Sequence, residues 1–149
     1  MRHWMNLVES QQMILYHSSN AQIVSILPFM HLGTLKAAQD RGGKFLYKVS
    51  IAPGRSLEVS DDIGVTHNVL GLIERLETDL ELDFHVVDDL MIAARAEAAT
   101  GKPASLAGGA AVAAVLAKYG IDALYYTNKI EDPGSVSWIV INPDCAKLL

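Results

Sequence analysis

Three short stretches of this chain concentrate side chains able to do chemistry, and all three lie where an apolar run starts or stops. Residues 14–20, ILYHSSN, end an apolar run on His17, Ser18, Ser19 and Asn20. Residues 31–34, HLGT, place His31 and Gly33 just ahead of Thr34, a plausible helix N-cap. Residues 128–137, NKIEDPGSVS, put Glu131, Asp132, Ser135 and Ser137 between two apolar strands. Imidazoles and hydroxyls hydrogen-bond a polar ligand, glycine lets backbone approach it, and a carboxylate steadies a positive charge. Polar groups gathered at one rim of a sheet form a cleft. Each residue also has a local reading. His17 alone suits a core histidine donating to a backbone carbonyl. His31 alone simply precedes a helix, Glu131 is a solvated loop carboxylate, and Ser135 and Ser137 face solvent on alternate strand positions. Tyr47, Tyr125 and Tyr126 read as core.

The rest of the sequence limits the chemistry. There is no GxxxxGKS or GxxxxGKT loop, no GxGxxG after a strand, and no HExxH, CxxC or GxSxG. The five histidines are scattered without metal spacing, and Cys145 is the only cysteine, so no metal site is expected. A lone cysteine has no intrachain partner and suits a reducing compartment. MRHWMNLVESQQ contains no apolar stretch of signal-peptide length, and LAGGAAVAAVLA is too short to span a bilayer. A cytoplasmic protein is expected. Net charge is −5 over 149 residues, against a generic phosphate-backbone binder. Half of the residues are hydrophobic, enough for the core of one domain spanning 1–149.

The elements that must position these residues follow from periodicity. Residues 12–17 and 44–51 are β-rich runs, and 121–127 and 136–142 are two more. Ile23, Val24 and Ile26 suggest a short extended piece closed by Pro28. Thr34 caps a short helix, LKAAQDR, which Gly42-Gly43 stops. Val69, Leu72, Ile73, Leu76 and Leu80 recur at helical spacing, with Thr66 as the possible cap. A second helix is expected from about Asp88 to Ala99 before Thr100-Gly101-Lys102-Pro103, and a third from near Ser105 to Tyr119 with Gly120 as its stop. Strands at both ends of the chain pair across a helical middle. This predicts an α+β domain with a mainly antiparallel sheet.

The quoted stretches, taken together, resemble a known family. ILYHSS, HLGTLKAAQDR and GIDALYYTNKIEDPGSVSWIVINP, in this order, resemble the small ADP-ribosyltransferase-like domains of phages, mobile elements and polyvalent proteins, some of which act as anti-CRISPR effectors. The resemblance covers about residues 12–58 and 105–143 and leaves 60–104 unmatched. It implies a split antiparallel β-core with a helical insertion in the middle of the chain. It further implies a cleft for NAD+ as co-substrate, no metal, and a cytoplasmic effector or toxin, in the host cytoplasm if phage-encoded. His17 falls on the family's first-strand histidine, which bonds the adenosine ribose. His31 falls where a tyrosine lines the nicotinamide side. Glu131 falls on the loop that carries the catalytic carboxylate or its substitute.

The chain departs from the family at three places. Ser18-Ser19 replaces the common Gly-Thr, His31 replaces tyrosine, and Ser137 stands where the better-known enzymes carry glutamate, six residues after Glu131. The loop must bring Glu131 back if it is to serve, and Asp132 is a second candidate.

On this resemblance the expected reaction is cleavage of the nicotinamide–ribose bond through an oxocarbenium-like state, with transfer of ADP-ribose to a macromolecule, expected to be a host or immune-system protein rather than nucleic acid, and no membrane partner. A preorganised carboxylate contributes on the order of 3 kcal/mol to such a state. Glu131 is assigned that work, with deprotonation of the acceptor as a second task. Backbone beside His17 and Ser18 would grip the carboxamide. Gly33 and Thr34 would approach the pyrophosphate, Ser135 and Ser137 would bond ribose hydroxyls or the carboxamide, and Arg41 is a further phosphate partner or a surface charge. The acidic run from Glu77 to Asp83 is either a docking surface or a solvated helix end. The alternatives are an inactive binding or inhibitor module on the same fold and an NAD+ glycohydrolase using water as acceptor.

Overall fold

The computed structural model describes residues 12–59, 69–99 and 109–149. The elements run β1 (Met13–Ser19), β2 (His31–Leu32), α1 (Leu35–Arg41), β3 (Phe45–Ile51), β4 (Ser56–Glu58), α2 (Val69–Leu80), α3 (Phe84–Ala98), α4 (Gly109–Lys118), β5 (Ala123–Thr127), β6 (Val136–Val140), a 3-10 turn at Pro143–Cys145 and β7 (Ala146–Leu148). The α+β expectation holds. The expected strands at 12–17, 44–51, 121–127 and 136–142 are present with shifted ends. Residues 23–26 form no strand, and α3 begins four residues before the expected Asp88. Thr66, the Thr100–Pro103 segment and the expected helix start at Ser105 lie outside the described residues.

The strands form two sheets. One is antiparallel in the order β1-β3-β7, and the other runs β2-β6-β5-β4, with β4 and β5 parallel. The pairing is mainly antiparallel, as expected, with β4 and β5 the one parallel pair among the described strands. The parallel pair comes from β4, three residues that follow the Pro53-Gly54 turn and add to the edge beside β5. A strand so short carries no readable alternation. β7 was likewise unreadable, and it pairs β3 with Val49 opposite Leu148. Chain ends do pair across the helical middle, as expected, through β2 with β6, β4 with β5 and β3 with β7.

Period-two alternation sorts each face of the four-stranded sheet. Leu124, Tyr126, Ile139 and Ile141 face α2, α3 and α4, where Leu76, Leu90, Val112 and Leu116 are fully buried. Ala123 and Val140 face the other way and pack with Leu32, Val49 and Ile51 between the sheets. Alanines let α4 approach closely, with Ala113 buried beside Val112 and Leu116. The two sheets meet through a bridge between Tyr16 and Gly33, whose backbone groups exchange hydrogen bonds of 2.8 and 2.9 Å. Among the described residues no helix is long and apolar enough to cross a membrane.

Candidate functional site

The bridge between the sheets fixes the site. β1 delivers Tyr16, His17 and Ser18 to one wall, β2 delivers His31, Leu32 and Gly33, α1 supplies Ala37, Ala38 and Arg41, and the β5–β6 hairpin adds Glu131 and Ser137. The cleft so lined is open and narrow, with a cavity volume of about 10 Å³, room for roughly one water. Small-molecule sites commonly span about 300–1,000 Å³, so a dinucleotide enters this cleft only if its wall opens.

Two glycines make the approach possible. A Cβ on Gly33 would lie 2.8 Å from Ser137 Oγ and 3.2 Å from Ala37 Cβ. One on Gly43 would lie 2.5 Å from the Ser19 backbone nitrogen and 2.9 Å from the Ser18 carbonyl carbon. Gly43 therefore lets the turn after α1 press on the end of β1, beside His17. Gly33 was expected to let a ligand come close; the close neighbour here is the protein's own Ser137.

The hairpin loop is pinned from both sides. Asn128, buried, donates from Nδ2 to Ser137 Oγ at 2.7 Å, to Ser135 Oγ at 3.0 Å and to the Ser135 carbonyl at 3.3 Å. Thr34 is the α1 N-cap as expected: its Oγ1 accepts from Ala37 N at 3.0 Å and donates to Asp132 Oδ2 at 2.6 Å. The Asp132 N–H in turn donates to Asp40 Oδ2 at 3.0 Å. Asp132 adopts φ 43°, a left-handed conformation in which aspartate is tolerated. Its carboxylate is engaged with Thr34 at the start of α1. Thr34 and Ser135 are not among the residues lining the cleft, and the end of α1 where pyrophosphate was expected already holds the Asp132 carboxylate. Glu131, the preceding residue, is turned toward the cleft instead.

Arg41 is the hub. Its Nε donates to Glu131 Oε2 at 2.9 Å. Its Nη2 lies 3.2 Å from His31 Nδ1 and 3.3 Å from the Tyr126 hydroxyl. That hydroxyl is 3.0 Å from His31 Nδ1, while His17 Nδ1 lies 2.6 Å from the His31 carbonyl oxygen. A carbonyl only accepts, so His17 carries a proton on Nδ1. An arginine only donates, so His31 Nδ1 carries none, and its proton sits on Nε2. Burial, then the Arg41 charge and then His17, push His31 down to about 3. His17 is lowered as well, chiefly by burial with Arg41 adding, against the raising effect of its bond to the His31 carbonyl. Both rings are neutral at pH 7. Both rings line the cleft, His17 with its acceptor on Nε2 and His31 with its N–H on Nε2. This pairing suits hydroxyl groups of a neutral or anionic ligand.

The carbonyl bond expected of His17 as a core histidine is present, and the same ring lines the cleft. Of the expected residues, His17, Ser18, His31, Gly33, Ser137 and Glu131 are brought together. Tyr126 and Arg41 take larger parts than their sequence suggested. Tyr126 reads as core because its ring is core; the signal was Asn128 two positions on, a second polar group on the same strand face. Arg41 and Glu131 are each about one-third exposed, at 34% and 30%. A pair so exposed contributes about 0.2–1 kcal/mol, so it opens easily. Glu77 near the end of α2, and Glu81 and Asp83 between α2 and α3, are exposed and do not line the cleft. Among the described residues no group of three His, Cys, Asp or Glu side chains is arranged to hold a metal ion.

No family model and no curated protein matches the chain. One solved structure to which the chain is similar is described as the crystal structure of an anti-CRISPR protein; the TM-score is 0.42, the identity 15%, and the match covers 95% of this chain and 98% of that one.

Proposed function

We propose that the chain is an NAD+-dependent ADP-ribosyltransferase that passes ADP-ribose to a macromolecule, a host or immune-system protein in preference to nucleic acid, with release of nicotinamide. The observation that carries this reading is the meeting of His17, His31 and Glu131, drawn from three distant segments, on one cleft between two sheets. Those are the three residues that the sequence resemblance makes functional. The α+β architecture, with strands from both ends of the chain flanking a helical middle, supports the reading at the level of fold class.

On this reading His17 Nε2 accepts from a ribose hydroxyl, and the Ser18 and His31 walls take the nicotinamide side. Glu131 faces the ribose carbon as positive charge grows on it. A carboxylate so placed contributes on the order of 3 kcal/mol, about a hundredfold in rate. Because nicotinamide leaves as a neutral molecule, no strong general acid is required, and neither imidazole need be charged. Thr34 and Ser135 act indirectly, by holding the loop that carries Glu131.

The Arg41–Glu131 pair favours a second reading. A carboxylate already neutralised is less able to steady a cation, as in an inactive domain that binds a partner by surface contact. Incubation with NAD+ labelled in the adenosine half, in a lysate of the host, separates the cases. Label covalently held by a protein supports transfer. Free labelled ADP-ribose means hydrolysis, and intact NAD+ throughout means the inactive module. Glu131→Gln should lower label transfer about a hundredfold; full activity of that variant would remove Glu131 from the chemistry.

A further inference from the structure

The Glu131 carboxylate stands on Arg41 in the position of a ligand's anion. Arg41 Nε points to it at 2.9 Å, and Nη2 is steadied by His31 Nδ1 and the Tyr126 hydroxyl at 3.2 and 3.3 Å. Three contacts from three elements hold the guanidinium at the cleft wall. Neutral His31 accepts from it and adds no repulsion. Such a fixed fork matches the planar geometry of carboxylate or phosphate oxygens. The cleft therefore has a built anion position, and an internal carboxylate fills it.

We infer that Arg41 binds the diphosphate of the dinucleotide, displacing Glu131 and thereby freeing that carboxylate to act at the ribose. The inference rests on the reading of the cleft as an NAD+ site. The diphosphate is the only anionic part of NAD+, so an arginine in the cleft has one place on that molecule to go. The exchange also gives a route by which so narrow a cleft admits a ligand, since the side chain that leaves opens the wall. No bond is made or broken in the exchange; one ion pair replaces another. It ties the readiness of Glu131 to the arrival of a diphosphate, so a nicotinamide nucleoside without phosphate would leave the carboxylate engaged.

The test is calorimetric titration of the full chain with ADP-ribose, which carries the diphosphate and lacks the scissile bond. Glu131→Gln removes the competitor and should tighten binding about two- to fivefold, the equivalent of a surface ion pair. Arg41→Met should weaken it about tenfold or more, as expected for loss of a hydrogen bond to a charged group. Arg41→Lys keeps the charge without the fork and should fall between. Because Glu131→Gln also slows turnover, the two effects of that substitution run in opposite directions, which general damage to the protein would not produce. Equal ADP-ribose affinity in wild type, Glu131→Gln and Arg41→Met would overturn the exchange while leaving the dinucleotide reading intact. Absence of ADP-ribose binding in all of them would overturn both.

Discussion

The helix-covered face of the four-stranded sheet and the cleft at its β2 edge share strands, yet they are held together differently. Behind the sheet, Leu124 and Ile139 pack against Leu76, Leu90 and Leu116, all buried to within a few per cent. Apolar contact there is non-directional, and its strength grows with area removed from water. At the cleft, polar side chains are fixed by direction: both imidazoles and the hydroxyls of Tyr126 and Ser137 have partners within hydrogen-bond distance. Tyr126 belongs to both regions. Its ring is part of the apolar core and its hydroxyl reaches His31 and Arg41. The difference teaches where stability and where function are stored. The core can lose a side chain at a large cost in stability with the cleft unaltered. The network can lose a partner at small cost in stability and a large cost in ligand geometry.

That contrast can be broken most strongly in the core. Leu116→Ala should lower unfolding free energy by about 2–5 kcal/mol, read by denaturant titration, with ADP-ribose affinity of the folded fraction unchanged. Asn128→Ala leaves the Ser135 carbonyl and the two serine hydroxyls without their shared donor. It should cost about 1–3 kcal/mol and, unlike the leucine change, weaken ADP-ribose binding, because Ser137 in the cleft lining loses the donor that holds its hydroxyl.

The next effect depends on pH. Both cleft histidines have folded pKa values below the ordinary 6.5, about 3 for His31. The unfolded chain therefore binds protons that the folded one refuses. Stability is full above 6.5 and is lost as pH falls from there toward those folded values. His31→Gln should flatten the decline between pH 6 and 5 by at most about 1.4 kcal/mol per pH unit. An unchanged slope would mean that the ring takes a proton in place. The smallest effect belongs to Tyr126→Phe, which keeps the core ring and removes the hydroxyl. A loss of about 0.5–1.5 kcal/mol is expected, with weaker ADP-ribose binding as Arg41 loosens.

Legibility in the sequence divides along the same line as the forces. Elements defined by repeated apolar spacing were readable: Ile73, Leu76 and Leu80 on α2, and the strands at 45–51 and 136–140. So was α1, since Thr34 and Gly42 are chemically specific end signals, and Gly42 does adopt φ 75°. β2, β4 and β7 were not, because two or three residues carry no period and their pairing is decided by strands far away in the chain. In the site, His17, His31 and Glu131 could be singled out by type and position. The Arg41 hub could not. At the end of a short helix its charge has an ordinary surface explanation, and only the return of the β5–β6 hairpin sets Glu131 beside it. Glu131 was the first choice in sequence and Asp132 the second, and the bond from Thr34 to Asp132 is what separates them in the structure.

The central claim, that a dinucleotide occupies this cleft, is tested most directly by magnetic resonance of the ring nitrogens in histidine-labelled protein titrated with NAD+. His85, exposed on α3 and outside the cleft, serves as the internal control. The account expects saturable shifts at His17 and His31, the His17 Nε2 signal moving as it accepts a ribose hydroxyl, with His85 unchanged. Shifts confined to His85, or no saturable shift at His17 and His31, would contradict it.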